Sequence, residues 1–82
     1  MNQARRKKLF DIKTALFNLM EEVENIEAEE DEAFDNLPDS IASTERGDQM
    51  QEFIALLNES RDDLESAIEK IEEVHTTEQA IG

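Results

Sequence analysis

The feature that most constrains this chain is a seven-residue periodicity of apolar side chains in two separate segments. In the first segment the spacings alternate between three and four, with one charged member: Leu9, Ile12, Leu16, Leu19, Val23, Ile26, Glu30, Ala33 and Leu37. In the second segment the same spacings recur with two polar members: Met50, Ile54, Leu57, Arg61, Leu64, Ile68, Ile71 and His75. Such spacings place each series on one face of an α-helix, so they predict two long amphipathic helices.

A short segment rich in turn-forming residues separates the two series. Pro38 disfavours a helical conformation at Leu37, and Ser43 or Thr44 can cap a following helix. The chain 1–82 is therefore predicted to be one domain with four parts: helix 1 at about 3–36, a loop at 37–43, helix 2 at about 44–75 and a frayed tail at 76–82. Because so short a connection makes the helices antiparallel, the predicted fold is all-α, a long coiled-coil-like two-helix hairpin.

The register of the hairpin follows from aligning the two series. Residues that face each other in an antiparallel pair have numbers with a constant sum, and a sum of 80 places Leu16 opposite Leu64. In this register the polar and small side chains pair as Leu19 with Arg61, Glu30 with Met50, Ala33 with Gly47, Lys8 with Glu72 and Lys7 with Glu73. Exposed ion pairs contribute about 0.2–1 kcal/mol each, so the last two pairs favour this register.

Two charged residues lie within the predicted seam. Glu30 and Arg61 are expected to reach water by extending along the surface, and to fix the register more than they stabilise the fold. On this interpretation, the substitution Arg61→Leu leaves the melting temperature unchanged or raises it.

Charge is distributed very unevenly along the chain. The 22 acidic and 8 basic side chains give a net charge of −14. Residues 1–13 hold five basic and one acidic side chain, a balance of +4, whereas residues 14–82 have a balance of −18. Nucleic-acid binding depends on Lys and Arg neutralising phosphates, so direct nucleic-acid binding is not expected. A basic surface on another protein is the natural complement.

The composition also argues against membrane and secretory proteins. The chain has no Cys, which fits a reducing cytoplasm, and 37% of its residues are charged. No segment approaches the roughly 18 apolar residues of a membrane-spanning helix. The basic cluster at residues 5–8 is followed by charged residues and not by an apolar run, so no signal peptide is predicted. We expect a soluble, cytoplasmic protein without membrane contact.

Few residues suit catalysis or metal binding. Glu72 and His75 have the i, i+3 spacing found in di-metal helical bundles, but helix 1 offers only basic side chains at that level. The acidic cluster at 29–35 lacks the glycine and spacing of a calcium-binding loop. As the sole histidine, His75 has no evident partner for activating a nucleophile. We therefore predict no catalytic residue, no metal, no cofactor and no enzyme.

The apolar arcs of both helices are wider than a single seam requires. The additional side chains form a predicted dimer or partner face that consists of Phe10, Phe17, Met20, Phe53, Leu56 and Val74. Burying this face in a second copy gives a four-helix bundle, and a partner-binding face on a monomer is the alternative. The carboxylates predicted on the outside of the rod form an acidic partner face: Glu24, Glu27, Asp31, Glu52, Glu59, Asp62 and Asp63.

The segment around the loop carries a resemblance to a group of known proteins. The residues concerned are Phe34-Asp35-Asn36-Leu37-Pro38-Asp39-Ser40 and Ser43-Thr44-Glu45-Arg46-Gly47, followed by an acidic amphipathic helix. With them, about residues 30–75 resemble small acidic helical-hairpin proteins encoded by phages and prophages of Gram-positive bacteria. The resemblance implies a setting and no mechanism.

Two functions of different classes are compatible with this pattern. The first is an inhibitor or adaptor that presents carboxylate-rich helices to a basic host or phage protein, with nucleic-acid mimicry as one form of it. The second is a structural or assembly protein that acts mainly through self-association, in which the charge maintains solubility.

Overall fold

The protein is a long helical hairpin. Its computed structural model describes residues 2–81, with the side chains of residues 2–77. The chain forms three helices in succession: α1 Gln3–Asp35, α2 Asp39–Ala42 and α3 Glu45–Ile81. It is 92% helical without a strand in the described part, which confirms the predicted all-α class. The two long helices pack side by side in a rod of 61 × 15 × 14 Å.

The ends of the long helices follow from local capping and from the positions of proline and glycine. The side-chain oxygen Oδ1 of Asn2 accepts a hydrogen bond of 2.9 Å from the backbone N–H of Arg5, which caps the start of α1. α1 ends at Asp35, three residues before Pro38, close to the predicted boundary. α3 continues through the segment predicted as a frayed tail, because none of residues 76–81 is proline or glycine.

The connection between the long helices is itself largely helical. In α2 the carbonyl of Pro38 accepts hydrogen bonds of 2.9 Å from the N–H groups of Ile41 and Ala42. The hydroxyl of Thr44 donates to the carbonyl of Ile41 at 2.5 Å, which holds the turn just before α3 begins. The predicted seven-residue loop therefore contains a helical turn that its sequence pattern did not reveal.

Gly47 lies directly against this turn. A β-carbon at position 47 would sit 2.6 Å from the carbonyl carbon of Ala42 and 2.9 Å from its α-carbon, so only glycine fits there. The sequence predicted a close approach at Gly47 but assigned it to Ala33 on α1, whereas the tight contact is to the backbone of Ala42.

The seam between α1 and α3 differs from the prediction on one helix. On α3 the predicted row from Met50 to His75 is buried or half-buried throughout. On α1 the covered row is Leu9, Lys13, Leu16, Met20, Val23, Glu27, Glu30, Phe34 and Leu37. Four residues predicted in the seam are instead exposed: Ile12, Leu19 and Ile26, each by about half, and Ala33. The contacting face of α1 is thus rotated by about 50°, half of the 100° step between successive residues.

Three polar contacts across the seam test the predicted register in part. Glu27 bonds to Asn58 and Lys13 pairs with Glu72, and in both pairs the residue numbers sum to 85. The pair of Glu27 with Arg61 has a sum of 88. Long polar side chains reach about one helical turn along the rod, so these contacts do not fix the layers. The sum of 80 stays a prediction, but the predicted pairing of Lys8 with Glu72 is replaced by Lys13 with Glu72.

The interior of the hairpin is thin. Among the described residues, Ile68 is the only buried apolar side chain, at 7% exposure, and no side chain is fully enclosed. At the closed end Leu37 is half-buried and Ile41 is exposed. Two helices in contact along one side remove little apolar surface from water, so the isolated hairpin gains little from the hydrophobic effect.

Candidate functional site

Six large apolar side chains lie exposed along one side of the hairpin. On α1 and α3 they recur at helical spacings, and each is 41–51% exposed: Ile12, Leu19, Ile26, Phe53, Leu56 and Val74. We call this set the front face. Its two helices meet in an open groove of about 720 Å³, where Ile26 and Ala33 of α1 face Phe53 and Leu56 of α3. Side chains seven residues apart share one side of a helix, so the rest of the front face continues this groove toward the open end.

Phe10 and Phe17 lie on the opposite side of the seam, which we call the back face. Each is two positions from a front-face residue, or about 200° around α1. Both line a shallow cavity of about 190 Å³ that also contacts Lys13 and Glu72. The ammonium of Lys13 lies 5.3 Å from the centre of the Phe10 ring and 3.8 Å from a carboxylate oxygen of Glu72. The back face therefore already has charged partners within the chain.

The predicted dimer or partner face is divided by the structure. Phe53, Leu56 and Val74 belong to the front face, whereas Phe10 and Phe17 belong to the back face and Met20 is half-buried in the seam. The sequence reasoning missed the α1 half of the front face, because it placed those side chains in the seam. The row of three isoleucine and leucine residues at seven-residue spacing is visible in the sequence, but its spacing does not distinguish an exposed row from the seam.

A polar layer crosses the middle of the seam. Glu27 is buried, at 9% exposure, and its Oε1 accepts a hydrogen bond of 3.0 Å from the side-chain amide of Asn58. Its other oxygen, Oε2, lies 3.6 Å from a guanidinium nitrogen of Arg61 and accepts no hydrogen bond from the described residues. The assignment of Glu27 to the outer acidic face was wrong, because the rotation of α1 turns this carboxylate inward.

The same layer corrects the expectation for Arg61. Arg61 was predicted to face Leu19 and to reach water without a partner. Its guanidinium instead bridges the inner carboxylate of Glu27 and the outer carboxylate of Asp62, at 3.6 and 3.5 Å. The side chain remains 31% exposed, so water still screens part of its charge.

The other carboxylates of the acidic partner face are exposed. They are Glu24, Asp31, Glu52, Glu59, Asp62 and Asp63. On α1, the first two continue the row of Phe10 and Phe17, so the back of α1 changes from aromatic to acidic toward the turn. On α3, Glu59 lies seven residues from Glu52, three from Asp62 and four from Asp63, which places all four near the outside of that helix, with the adjacent Asp62 and Asp63 about 100° apart around it. We call these four residues the α3 acidic strip.

Charge on the rod is concentrated away from its open end. The open-end segments 1–13 and 65–82 have balances of +4 and −4, which cancel. The whole net charge of −14 therefore lies in residues 14–64, which contain the turn. At the open end Lys7 pairs with Asp11 of its own helix at 3.1 Å, which replaces the predicted pair with Glu73.

The groups considered for chemistry are not assembled into a site. His75 lines a cavity at the open end together with Gln3, Arg6, Lys7 and Phe10, none of which is a carboxylate. Nowhere in residues 2–77 do three or more His, Asp or Glu side chains form a group that could hold a metal ion. The helices of the described chain also contain no stretch of the length and hydropathy needed to cross a membrane.

No protein-family model matches the chain, and neither a curated protein nor a solved structure is significantly similar to it.

Proposed function

We propose that this chain is a non-enzymatic protein-binding module that presents the α3 acidic strip to a basic site on another protein. The observation that carries the proposal is that the strip is almost unneutralised. Within the described part of the chain, Asp62 is its only member in an ion pair, whereas Glu52, Glu59 and Asp63 have none. A basic cleft that meets this surface gains ion pairs that the chain does not supply itself.

The spacing of the strip strengthens its electric field. Glu59 and Asp63 are four residues apart on one side of the helix, or about 6 Å along its axis. That separation is shorter than the screening length of about 8 Å at physiological ionic strength, so neighbouring carboxylates act on a ligand together. A row of closely spaced negative charges on a rigid rod resembles the phosphates of a nucleic-acid backbone. The proposed inhibitor or adaptor therefore occupies the phosphate-binding site of its partner protein.

The proposed setting is the cytoplasm of a bacterial host, and the proposed partner is a host or phage protein. The resemblance of residues 34–47 to small phage and prophage proteins supports this setting. The absence of cysteine is consistent with a reducing compartment.

Reversal of charge on the strip tests the proposal. In the triple variant Glu52→Lys, Glu59→Lys and Asp63→Lys, we expect loss of the basic proteins that the wild-type chain captures from a bacterial lysate. The matched control reverses three exposed carboxylates of α1, Glu21, Glu32 and Asp35, which changes the net charge equally. We expect the control to retain capture, measured by mass spectrometry of the eluate and by release at high salt.

The comparison of the two triple variants decides between a site and a general charge effect. If both lose capture equally, the net charge and not the α3 acidic strip is responsible. If neither loses it, the acidic surface serves only solubility and the proposal is wrong. Far-UV circular dichroism of each variant checks that helicity is unchanged.

A second candidate function, a structural or assembly protein, is favoured by a different observation. Ile68 is the only buried apolar side chain in the described hairpin, although nine large apolar side chains are at least 36% exposed. A chain whose principal activity is self-association needs such a surface. Purified protein that assembles beyond a dimer and captures no basic protein would favour this second function over the first.

A further inference from the structure

The front face runs along one side of the rod. The whole side of a rod of 61 by 15 Å spans about 900 Å², which sets the upper limit of the area that a partner covers, compared with about 800 Å² per partner in a typical stable complex. On α1 the apolar side chains recur every seven residues, on α3 they lie at the two ends of the face with Ser60 and Ala67 between Phe53 and Val74, and no other part of the described chain covers them. The hairpin also lacks a substantial interior, so covering this face would create the core that one copy does not have.

The charges that border the front face are arranged asymmetrically along the rod. Lys8 and Lys70 each lie four residues before a front-face side chain near the open end. Glu29 lies three residues after Ile26, toward the turn. Residues three or four positions apart share one side of a helix, so these side chains flank the apolar surface. Glu22, three residues after Leu19, borders the face near its middle, and Arg46 lines the groove near the turn. The border is therefore basic at the open end and of mixed charge toward the turn, where the acidic balance comes from the whole segment 14–64.

We propose that a second copy of this chain covers the front face, and that the two copies pack antiparallel. In this arrangement α1 packs on α1 and α3 on α3, so Lys8 of one copy lies over the region of Glu29 of the other, and Lys70 lies over the turn-side half of α3 of the other copy. A twofold axis through the middle of the face makes each of these contacts twice.

A parallel arrangement is disfavoured by the same charges. It would place α1 of each copy opposite α3 of the other, bring the two lysine-bordered ends to the same level, and align the two segments 14–64, each with a net charge of −14, over their whole length. In the antiparallel arrangement these segments overlap only near the middle of the rod, and the acidic end of each copy meets the end of the other copy whose positive and negative charges cancel. Like charges in contact across an interface are unfavourable, so the antiparallel dimer is selected.

The groove near the turn has an occupant in this arrangement. Ile26 and Phe53 line this groove. In the antiparallel dimer, Ile12 and Val74 from the open-end half of the other copy's front face lie over the groove. The two hairpins together form a four-helix bundle in which the front-face side chains of both copies are buried. Most of the α3 acidic strip lies beside this interface and points outward, whereas Asp63, seven residues from both Leu56 and Lys70, lies at the edge of the front face.

Cross-linking of single-cysteine variants tests the orientation, because the chain contains no native cysteine. Lys8→Cys and Glu29→Cys proteins are mixed, treated with a short bis-maleimide and digested for peptide mass analysis. We expect the cross-link between positions 8 and 29 to predominate. Predominance of 8–8 and 29–29 links would show a parallel dimer, and the absence of any link would show that no dimer forms through this face. Either result overturns the proposal.

Sedimentation of two matched variants tests which face is covered. Leu19 and Phe17 are both on α1, both 50% exposed and on opposite faces. We expect the wild-type chain and Phe17→Glu to sediment at twice the chain mass of 9.4 kDa, and Leu19→Glu to sediment as a monomer. A monomeric wild-type chain would leave the front face to a foreign partner and overturn the proposal. Dissociation of both variants, or of Phe17→Glu alone, would also contradict it.

The two proposals can fail separately. The dimer is measured with the purified chain alone, whereas the function of the α3 acidic strip is measured by capture from a lysate. A dimer that captures nothing refutes the proposed function only, and a monomer that captures basic proteins refutes the dimer only.

Discussion

Substitution of Arg61 by leucine removes the cation that lies within ion-pair distance of the buried Glu27 carboxylate. Breaking a fully buried ion pair by removing one partner costs about 3–5 kcal/mol. Because the Arg61 side chain is 31% exposed, water screens part of this interaction, and about 2–3 kcal/mol is a better measure. The new leucine recovers about 1 kcal/mol by burying apolar surface. We therefore expect Arg61→Leu to lower the free energy of unfolding by about 1.5 kcal/mol.

For a domain of this size, a loss of that magnitude lowers Tm by about 6–12 °C. The assay is urea and thermal unfolding followed by far-UV circular dichroism. All proteins are compared at one concentration, since self-association would make stability depend on concentration. The matched control is Arg5→Leu, which removes an exposed arginine whose side chain forms no ion pair with the described residues, and its effect should stay within about 0.5 kcal/mol.

A double variant separates the pair from the arginine itself. With Glu27→Leu added to Arg61→Leu, no carboxylate is left buried, so stability should return to the wild-type value or exceed it. The reasoning is refuted if Arg61→Leu is as stable as the wild type, which is the result the sequence alone suggested. It is also refuted if the double variant is less stable than Arg61→Leu, because the loss would then come from the packing of the side chains.

Two further predictions concern the turn and the start of α1. Gly47→Ala adds about 1 kcal/mol of intrinsic helix preference, but its methyl group would collide with the backbone of Ala42. We therefore expect a net loss of stability of about 1–3 kcal/mol, measured by thermal unfolding. An equal or higher Tm would contradict the close contact. Asn2→Ala removes the side-chain acceptor of the Arg5 N–H. We therefore expect the free energy of unfolding to fall by about 1 kcal/mol and amide hydrogen exchange to become faster in the first turn of α1. Unchanged exchange there would show that the cap contributes nothing.

The fold could be predicted from the sequence because its strongest signals are local. Alternating spacings of three and four identify both helices, and Pro38 ends the first one. The seam on α3 was also predicted correctly, since one apolar row dominates that helix. The helical turn at 39–42 and its contact with Gly47 were missed, because they depend on how the chain folds back in three dimensions.

The seam on α1 could not be derived from apolar spacing alone. Three adjacent rows of that helix carry large apolar side chains, and they begin at Leu9, Phe10 and Ile12. The seam on α1 consists of the row that begins at Leu9 and a second row that begins at Lys13. Because the second row includes Lys13 and Glu27, apolar spacing does not identify it as part of the seam. Its place in the seam follows from polar contacts with α3, and nothing in a single sequence distinguishes Glu27 from the other 21 acidic residues.

The positions of the cross-chain contacts have a consequence for the order in which the hairpin forms. The contact of Gly47 with Ala42 closes a loop of only a few residues, whereas the bond between Glu27 and Asn58 joins residues 31 apart. Each doubling of loop length adds about 0.6 kcal/mol of entropic cost to closure. Assembly is therefore favoured to begin at the turn and proceed like a zipper toward the termini. In a chain that closes out of register, the carboxylate of Glu27 is buried without Asn58 and Arg61 about halfway along the hairpin. The helices can then separate again while the half toward the termini is still unpaired.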